Sequence, residues 1–169
     1  QRELGANIAA TVAYVGTKGA KLMTYVNLNR QVYGQAPGTR RFPNIVDVNL
    51  QDDIGDSIYH GLQARLDRRF SKGWQFTTSY TWSHTIDNSP GAFDNQNNRV
   101  DLFNFDHERA NSNQDQRHRF VFSSLYELPF GKGRSYASDM HPVLESILGG
   151  WQINPILTLQ SGLPFDLIQ

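Results

Sequence analysis

The strictest pattern in this sequence is an alternation of aromatic and small polar side chains in GWQFTTSYTWSHTID, residues 73–87. One set comprises Trp74, Phe76, Thr78, Tyr80, Trp82, His84 and Ile86, and the other comprises Gln75, Thr77, Ser79, Thr81, Ser83, Thr85 and Asp87. Because successive side chains of a β-strand point to opposite faces, the pattern predicts a strand with an apolar medium on one side and water on the other. That medium is either a protein core or a lipid bilayer.

The same alternation recurs elsewhere in the chain, separated by turn-rich segments. It is found in LGANIAATVAYVG (4–16), IYHGLQARLDRRF (58–70), HRFVFSSLYELPFGKG (118–133) and GGWQINPILTLQSGLPF (149–165). Arg68 interrupts the apolar set of the second segment, and Pro155 is expected to weaken the pairing of the last one. These repeats predict an all-β antiparallel meander of about five long strands. Whether residues 21–29 extend the first strand is open.

The connections between these strands alternate in length, which favours the bilayer. A long polar segment (30–57) precedes the second strand, the tight turn at residues 71–73 follows it, and a long loop (88–116) precedes the fourth strand. Long external loops and short periplasmic turns are typical of outer-membrane β-barrels. The fourth connection (131–150) is a partial exception, and its HPVLESILGG (141–150) predicts one or two helical turns ended by glycine.

Aromatic residues of the apolar set also fall into two bands. Phe70, Trp74, Phe130 and Trp151 lie beside the connections assigned to the periplasm, whereas Tyr14, Trp82 and Phe120 lie near the long external ones. The eight residues from Trp74 to Trp82 span about 26 Å along a strand, or about 19 Å across a bilayer at a tilt near 45°. Amphipathic rings prefer the headgroup level of a membrane, so the banding favours lipid over a protein core.

Composition excludes several classes of function, but it does not decide whether the apolar sets face a protein core or a lipid bilayer. The chain has 169 residues, of which 38% are hydrophobic, and a mean hydropathy of −0.52. Sixteen basic and sixteen acidic residues cancel, so the basic excess of a nucleic-acid-binding protein is missing. Cysteine is absent, which excludes disulfides and thiolate metal sites. Because the chain opens directly on a strand pattern and stops during another, we expect residues 1–169 to be a fragment of a single barrel domain.

Four segments resemble, in order, the β-barrel of TonB-dependent receptor-like outer-membrane proteins, and most closely their Oar-like branch. They are VAYVGTKGAKL, SIYHGLQARLDRRFSKGWQFTTSYTWSHTIDN, DQRHRFVFSSLYELPFGKG and LGGWQINPILTLQSGLPF. The resemblance implies a bacterial outer-membrane location. It also implies partners: outer-membrane lipid, the rest of the barrel, a plug domain, and the TonB system reached through an N-terminal part not visible in this sequence.

Function is therefore expected to belong to the parent barrel, because about five strands cannot close one and open edges are prohibitive in lipid. The resemblance implies a receptor or transporter for an unknown ligand. Two alternatives stay open: a passive structural or adhesion barrel of the same fold, and a soluble all-β binding module. A plug and a TonB-binding segment upstream would distinguish a receptor from the passive barrel. Dependence on detergent would distinguish a membrane barrel from the soluble module.

No motif in the sequence supports catalysis, a cofactor or a metal, so we expect no enzyme activity. The five histidines, His60, His84, His107, His118 and His141, lack the spacing of a metal site. Oxygen-rich loops can hold calcium, which stays open for the acidic loop residues Asp94, Asp101, Asp106, Glu108 and Asp115. Their spacing does not follow an EF-hand pattern, and solvated turn structure is the favoured interpretation. The charged residues expected to line the barrel interior are Arg65, Asp67, Arg69, Arg117, Arg119 and Glu127. Ligand-binding residues are unknown.

Overall fold

The computed structural model is all-β, and it describes residues 2–5, 7–29, 34–36, 38–88, 104–136, 138–139 and 141–165. Its strands are β1 (Arg2–Gly5), β2 (Ile8–Asn27), β3 (Asn49–Ser71), β4 (Trp74–Asp87), β5 (Ala110–Asn111), β6 (His118–Glu127), β7 (Gln152–Ile153) and β8 (Ile156–Gln160). A 3₁₀ turn (Phe105–Glu108) and a short helix α1 (Pro142–Leu148) lie in the connections. The predicted all-β meander is confirmed.

The strands form one sheet in the order β1-β2-β3-β4-β6-β7, in which β5 pairs with β4 and β8 pairs with β6. The β4–β6 register sets Trp74 opposite Tyr126 and Tyr80 opposite Phe120. Residues directly opposite each other in an antiparallel pair share a face, so the aromatic sets of the two strands lie on the same side. We call this side the apolar face and the other the polar face.

The first strand differs from its prediction, because residues 4–16 do not form one continuous strand. Gly5 and Asn7 have positive φ angles of 84° and 63°, and β1 turns back to pair with β2. Glycine and asparagine are the residues that tolerate this left-handed region. Leu4 and Ile8 therefore belong to different strands, although their spacing fits one alternation.

Two strands are longer than their alternation predicts. β2 continues through Asn27, so residues 21–27 do extend that strand. β3 begins at Asn49, within a segment that was expected to be loop. The added residues of β3, NLQDDIGDS, are mostly polar on both faces, so hydrophobic alternation cannot reveal them, whereas backbone pairing still forms.

The predictions for the C-terminal region are confirmed with adjusted bounds. The last segment divides into β7 and β8 on either side of Asn154 and Pro155. Pro155 has no N–H to donate, although its carbonyl still accepts from Ser124 N–H at 3.1 Å. The helix α1 has Pro142 in its first turn and is capped by Gly149, whose N–H donates to the Glu145 carbonyl.

The chain divides into two compact units. The first comprises Gln1–Tyr14, Leu62–Trp82 and His118–Gln160. The second comprises Val15–Gly61, Ser83–Arg117 and Ser161–Gln169. The contacts discussed below each lie within one unit.

Candidate functional site

The apolar face of the first unit remains largely uncovered by the chain's own residues. Tyr80 and Trp82 are 41% and 50% exposed, and Leu157 and Leu159 on β8 are also exposed. Among the described residues, Val26 is the single buried apolar side chain, at 2% exposure. Large contiguous apolar surfaces on soluble monomers are rare, so this face requires an apolar environment outside the described residues.

The polar face of the same unit carries a small charged network. The Arg65 guanidinium donates two hydrogen bonds to the Asp67 carboxylate, at 2.7 and 2.9 Å, and Thr77 Oγ1 donates to the same carboxylate at 2.8 Å. Arg69 Nη2 lies 3.7 Å from Glu3 Oε1, and Arg134 Nη1 lies 2.6 Å from Glu127 Oε2. Four of the charged residues predicted for one face, Arg65, Asp67, Arg69 and Glu127, thus pair with close neighbours, as expected of a surface that meets water or another polar body.

In the second unit, Asp115 is the centre of a buried polar cluster at the end of β4. Its carboxylate accepts hydrogen bonds from Arg117 Nε at 2.6 Å, from Thr85 N–H at 2.7 Å and from His84 Nδ1 at 3.2 Å. Arg117 also contacts His84 Nε2 at 3.3 Å. Asp115 is 1% exposed, so these bonds replace its water.

The surroundings of Asp115 act on its pKa in opposite directions. Burial raises the pKa of the carboxyl, but the hydrogen bonds from Thr85 N–H, Arg117 and His84 outweigh burial and hold the pKa below its ordinary value. The ionised carboxylate thereby fixes the loop before β6 to β4. This contact joins residues about thirty positions apart, and beyond the acidic character of the loop no sequence pattern indicates it.

The loop that follows β2 is held by two asparagines. Asn29 is buried, donates from Nδ2 to the carbonyls of Phe42, Ile45 and Val46, and accepts from Phe42 N–H at 2.7 Å. Asn27 accepts from Val48 N–H at 3.2 Å and donates to Asp47 at 2.6 Å. The buried Asn29 amide and the Asn27 amide thus hold Phe42 and residues 45–48 of this connection near the end of β2.

Comparison with protein families identifies the chain. A family described as "Outer membrane beta barrel domain" matches residues 1–169. The chain belongs to this family. Searches of curated proteins and of solved structures give no match.

As an outer membrane beta barrel domain, the protein resides in the bacterial outer membrane, and barrels of this kind carry an outward-facing apolar band. Trp74 and Trp82 lie eight positions apart on the apolar face of β4, consistent with rings at two headgroup levels. The alternative of a soluble binding module is thereby excluded.

A charged residue, Arg68, interrupts the apolar face of this outer membrane beta barrel domain. Arg68 on β3 stacks its guanidinium over the Trp74 ring at 4.4 Å from the ring centroid. Trp74 Nε1 donates to Ser124 Oγ at 2.9 Å, and its ring lies 5.1 Å from that of Phe76. The arginine that interrupts the alternation in β3 is therefore part of an ordered arrangement.

The described residues contain no group of three or more acidic or histidine side chains that could hold a metal ion. Asp94 and Asp101, which belong to the acidic set of the long loop, lie outside them. Within the described ranges, no helix is long and apolar enough to cross a membrane. A cleft of about 340 Å³ is lined by residues of both faces, including Arg68, Phe76, Thr77 and Ser124.

Proposed function

We propose that this chain is part of the transmembrane barrel of a TonB-dependent receptor or transporter of the Oar-like branch, with an unidentified ligand. The observation that carries the proposal is the ordered resemblance of four segments, among them SIYHGLQARLDRRFSKGWQFTTSYTWSHTIDN. Membership of the outer membrane beta barrel domain family supplies the matching membrane and fold.

The polar face supports this proposal. The Arg65–Asp67–Thr77 network gives that face paired charges instead of apolar packing. A barrel interior that surrounds a plug domain needs such a surface, because the plug is polar and must separate from the wall during transport. In this proposal the plug and the rest of the barrel are the nearest partners of these residues.

Hydrogen bonds at the described ends of two long connections support it as well. Asn27 on β2 bonds Val48 of one long connection, and Asp115 of the other bonds Thr85 on β4. Receptor loops that bind a scarce ligand outside the cell benefit from a defined conformation, because less entropy is lost on binding. The proposal includes no catalytic role and no nucleic-acid partner.

The decisive experiment examines the complete protein for coupling to TonB. The full-length protein would be mixed with the periplasmic domain of TonB, and complex formation would be measured by size-exclusion chromatography and site-specific crosslinking. A transporter is expected to form a complex through a segment N-terminal to a plug. Absence of both the complex and the plug would favour the passive structural or adhesion barrel.

A further inference from the structure

We propose that Arg68 and Trp74 form a binding site for the phosphate group of a phospholipid in the inner leaflet of the outer membrane. This inference rests on the membrane location of the family and on side-chain geometry, and it does not require the protein to be a transporter.

The first step is the face on which Arg68 lies. Its guanidinium contacts the ring of Trp74, and Trp74 pairs directly with Tyr126 on the apolar face. The positions two residues away on β3, Leu66 and Phe70, belong to the same apolar set. Arg68 is thus a cation on the surface that meets lipid.

The second step is that the aromatic partner is fixed in place. Trp74 Nε1–H donates to Ser124 Oγ at 2.9 Å, and that hydroxyl donates to the Gln75 carbonyl at 3.0 Å. Ser124 is buried, although it occupies a position of the apolar set on β6. Its polar side chain orients the indole ring, and the ring in turn positions the guanidinium.

The third step is depth in the membrane. Trp74 is the first residue of β4 and follows the tight turn formed by Lys72 and Gly73. Short turns of outer-membrane barrels face the periplasm, and tryptophan concentrates at the headgroup level. The Arg68 guanidinium therefore lies at the level of inner-leaflet phosphates.

The fourth step is the missing acceptor. Arg68 Nε is shielded from water and has no hydrogen-bond partner, and Arg68 forms no ion pair with any carboxylate in the described parts of the chain. An uncompensated charge on a lipid-facing surface is destabilising. Because the chain itself covers Nε, a phosphodiester meets the guanidinium at its two Nη groups, whose end-on fork matches two phosphate oxygens.

The test is native mass spectrometry of the full-length barrel in a phosphate-free detergent with added phosphatidylglycerol or phosphatidylethanolamine. Arg68→Leu suits a lipid-facing position and is expected to fold, while lowering the fraction of protein that retains one phospholipid about tenfold, the effect of losing one bidentate charged contact. Arg68→Lys keeps the positive charge but lacks the forked pair of donors. Its retention of phospholipid should therefore lie between those of wild type and Arg68→Leu. The matched control is Arg69→Leu, which removes the neighbouring charge on the polar face.

Three results would overturn the proposal. The first is equal phospholipid retention by wild type and Arg68→Leu. The second is an equal loss in Arg69→Leu, which would indicate a general effect of charge. The third is displacement of the lipid by millimolar inorganic phosphate, which would identify a free-anion site.

A second measurement is the unfolding free energy in phospholipid vesicles and in maltoside micelles. The proposal requires Arg68→Leu to lower the unfolding free energy in phospholipid vesicles, where phosphate headgroups are present. In maltoside micelles, which have no phosphate, the substitution should not lower it.

Discussion

Single residues decide how the long connections are held, and Asp115 is the clearest case. Its carboxylate is buried and accepts from a backbone N–H, an arginine and a histidine. A buried charge of this kind stabilises the fold only while all its hydrogen-bond partners are in place. Removing one member of the cluster leaves the remaining polar groups with neither a partner nor water.

Asp115→Asn is therefore expected to lower the free energy of unfolding of the refolded barrel by about 2 kcal/mol, the usual value for a hydrogen bond to a charged group. Urea titration in lipid vesicles measures this effect. The exposed Asp53→Asn is the control and should change stability by less than about 0.5 kcal/mol. Equal effects of the two substitutions would contradict the assigned role of Asp115.

The lowered pKa of Asp115 also predicts a pH dependence. Because the folded-state pKa lies below the unfolded value of about 3.9, the carboxylate stabilises the fold above that pH and loses its contribution as the pH falls through the folded-state pKa. The stability difference between wild type and Asp115→Asn should stay constant from about pH 7 to 5 and shrink below about pH 4. A difference that grows on acidification would reverse the assigned sign.

At the scale of elements, the turn between β3 and β4 depends on backbone conformation. Lys72 and Gly73 have φ angles of 52° and 75°, the combination required by a type I′ hairpin turn. A Cβ at Gly73 would meet Glu127 only at an ordinary 3.5 Å, so the effect of a substitution there is conformational, not steric.

Gly73→Ala is expected to destabilise the barrel by about 1–2 kcal/mol, the cost of an L-residue in the left-handed region. Lys72→Asn, which suits the same region better than lysine, should stabilise it by about 0.5 kcal/mol. Equilibrium unfolding in vesicles measures the change in unfolding free energy for each variant. The expected result is a decrease for Gly73→Ala and an increase for Lys72→Asn. A neutral Gly73→Ala would mean that the turn adopts another conformation in the membrane.

The strand β4 provides the sharpest test of its two faces. Arginine at Tyr80, near the middle of the apolar face of β4, should cost about 2–4 kcal/mol, and arginine at Trp74 or Trp82 about 0–1 kcal/mol. Ser79 and Thr81 lie on the polar face and should tolerate arginine better. Scanning positions 74, 76, 78, 80, 82 and 84 in vesicles should give a penalty that peaks in the middle, whereas a flat or irregular profile would contradict lipid contact.

Elements were predictable from the sequence where their two faces meet different media. Alternation revealed β4 and the part of β3 from Ile58 onward, and it placed Arg65 and Asp67 on one face, where they pair. It could not reveal residues 49–57, because both faces there are polar, nor the turn at Gly5 and Asn7, whose neighbours preserve the alternation. The His84–Asp115 contact was not predictable, since strand periodicity carries no information about pairing across a long loop.

At the scale of the whole molecule, the decisive property is the balance between apolar surface and apolar burial. Exposed large apolar side chains occur on most strands of the sheet, including Val12, Leu62, Ile153 and Leu159, while buried apolar volume in the described residues is restricted to Val26. Folding in water would leave this surface hydrated, so the hydrophobic effect cannot hold the sheet together without lipid or detergent.

The chain of residues 1–169, expressed alone in plain buffer, is therefore expected to aggregate, because its apolar face and its open strand edges both favour association. Detergent should disperse it, and size-exclusion chromatography with light scattering distinguishes the two states. The control is Tyr80→Ser combined with Trp82→Ser, which reduces the apolar face and should lower the detergent concentration needed for dispersal. A monodisperse monomer that melts cooperatively in buffer would contradict this account, because such a monomer needs an internal core that the exposed rings of Tyr80 and Trp82 do not provide.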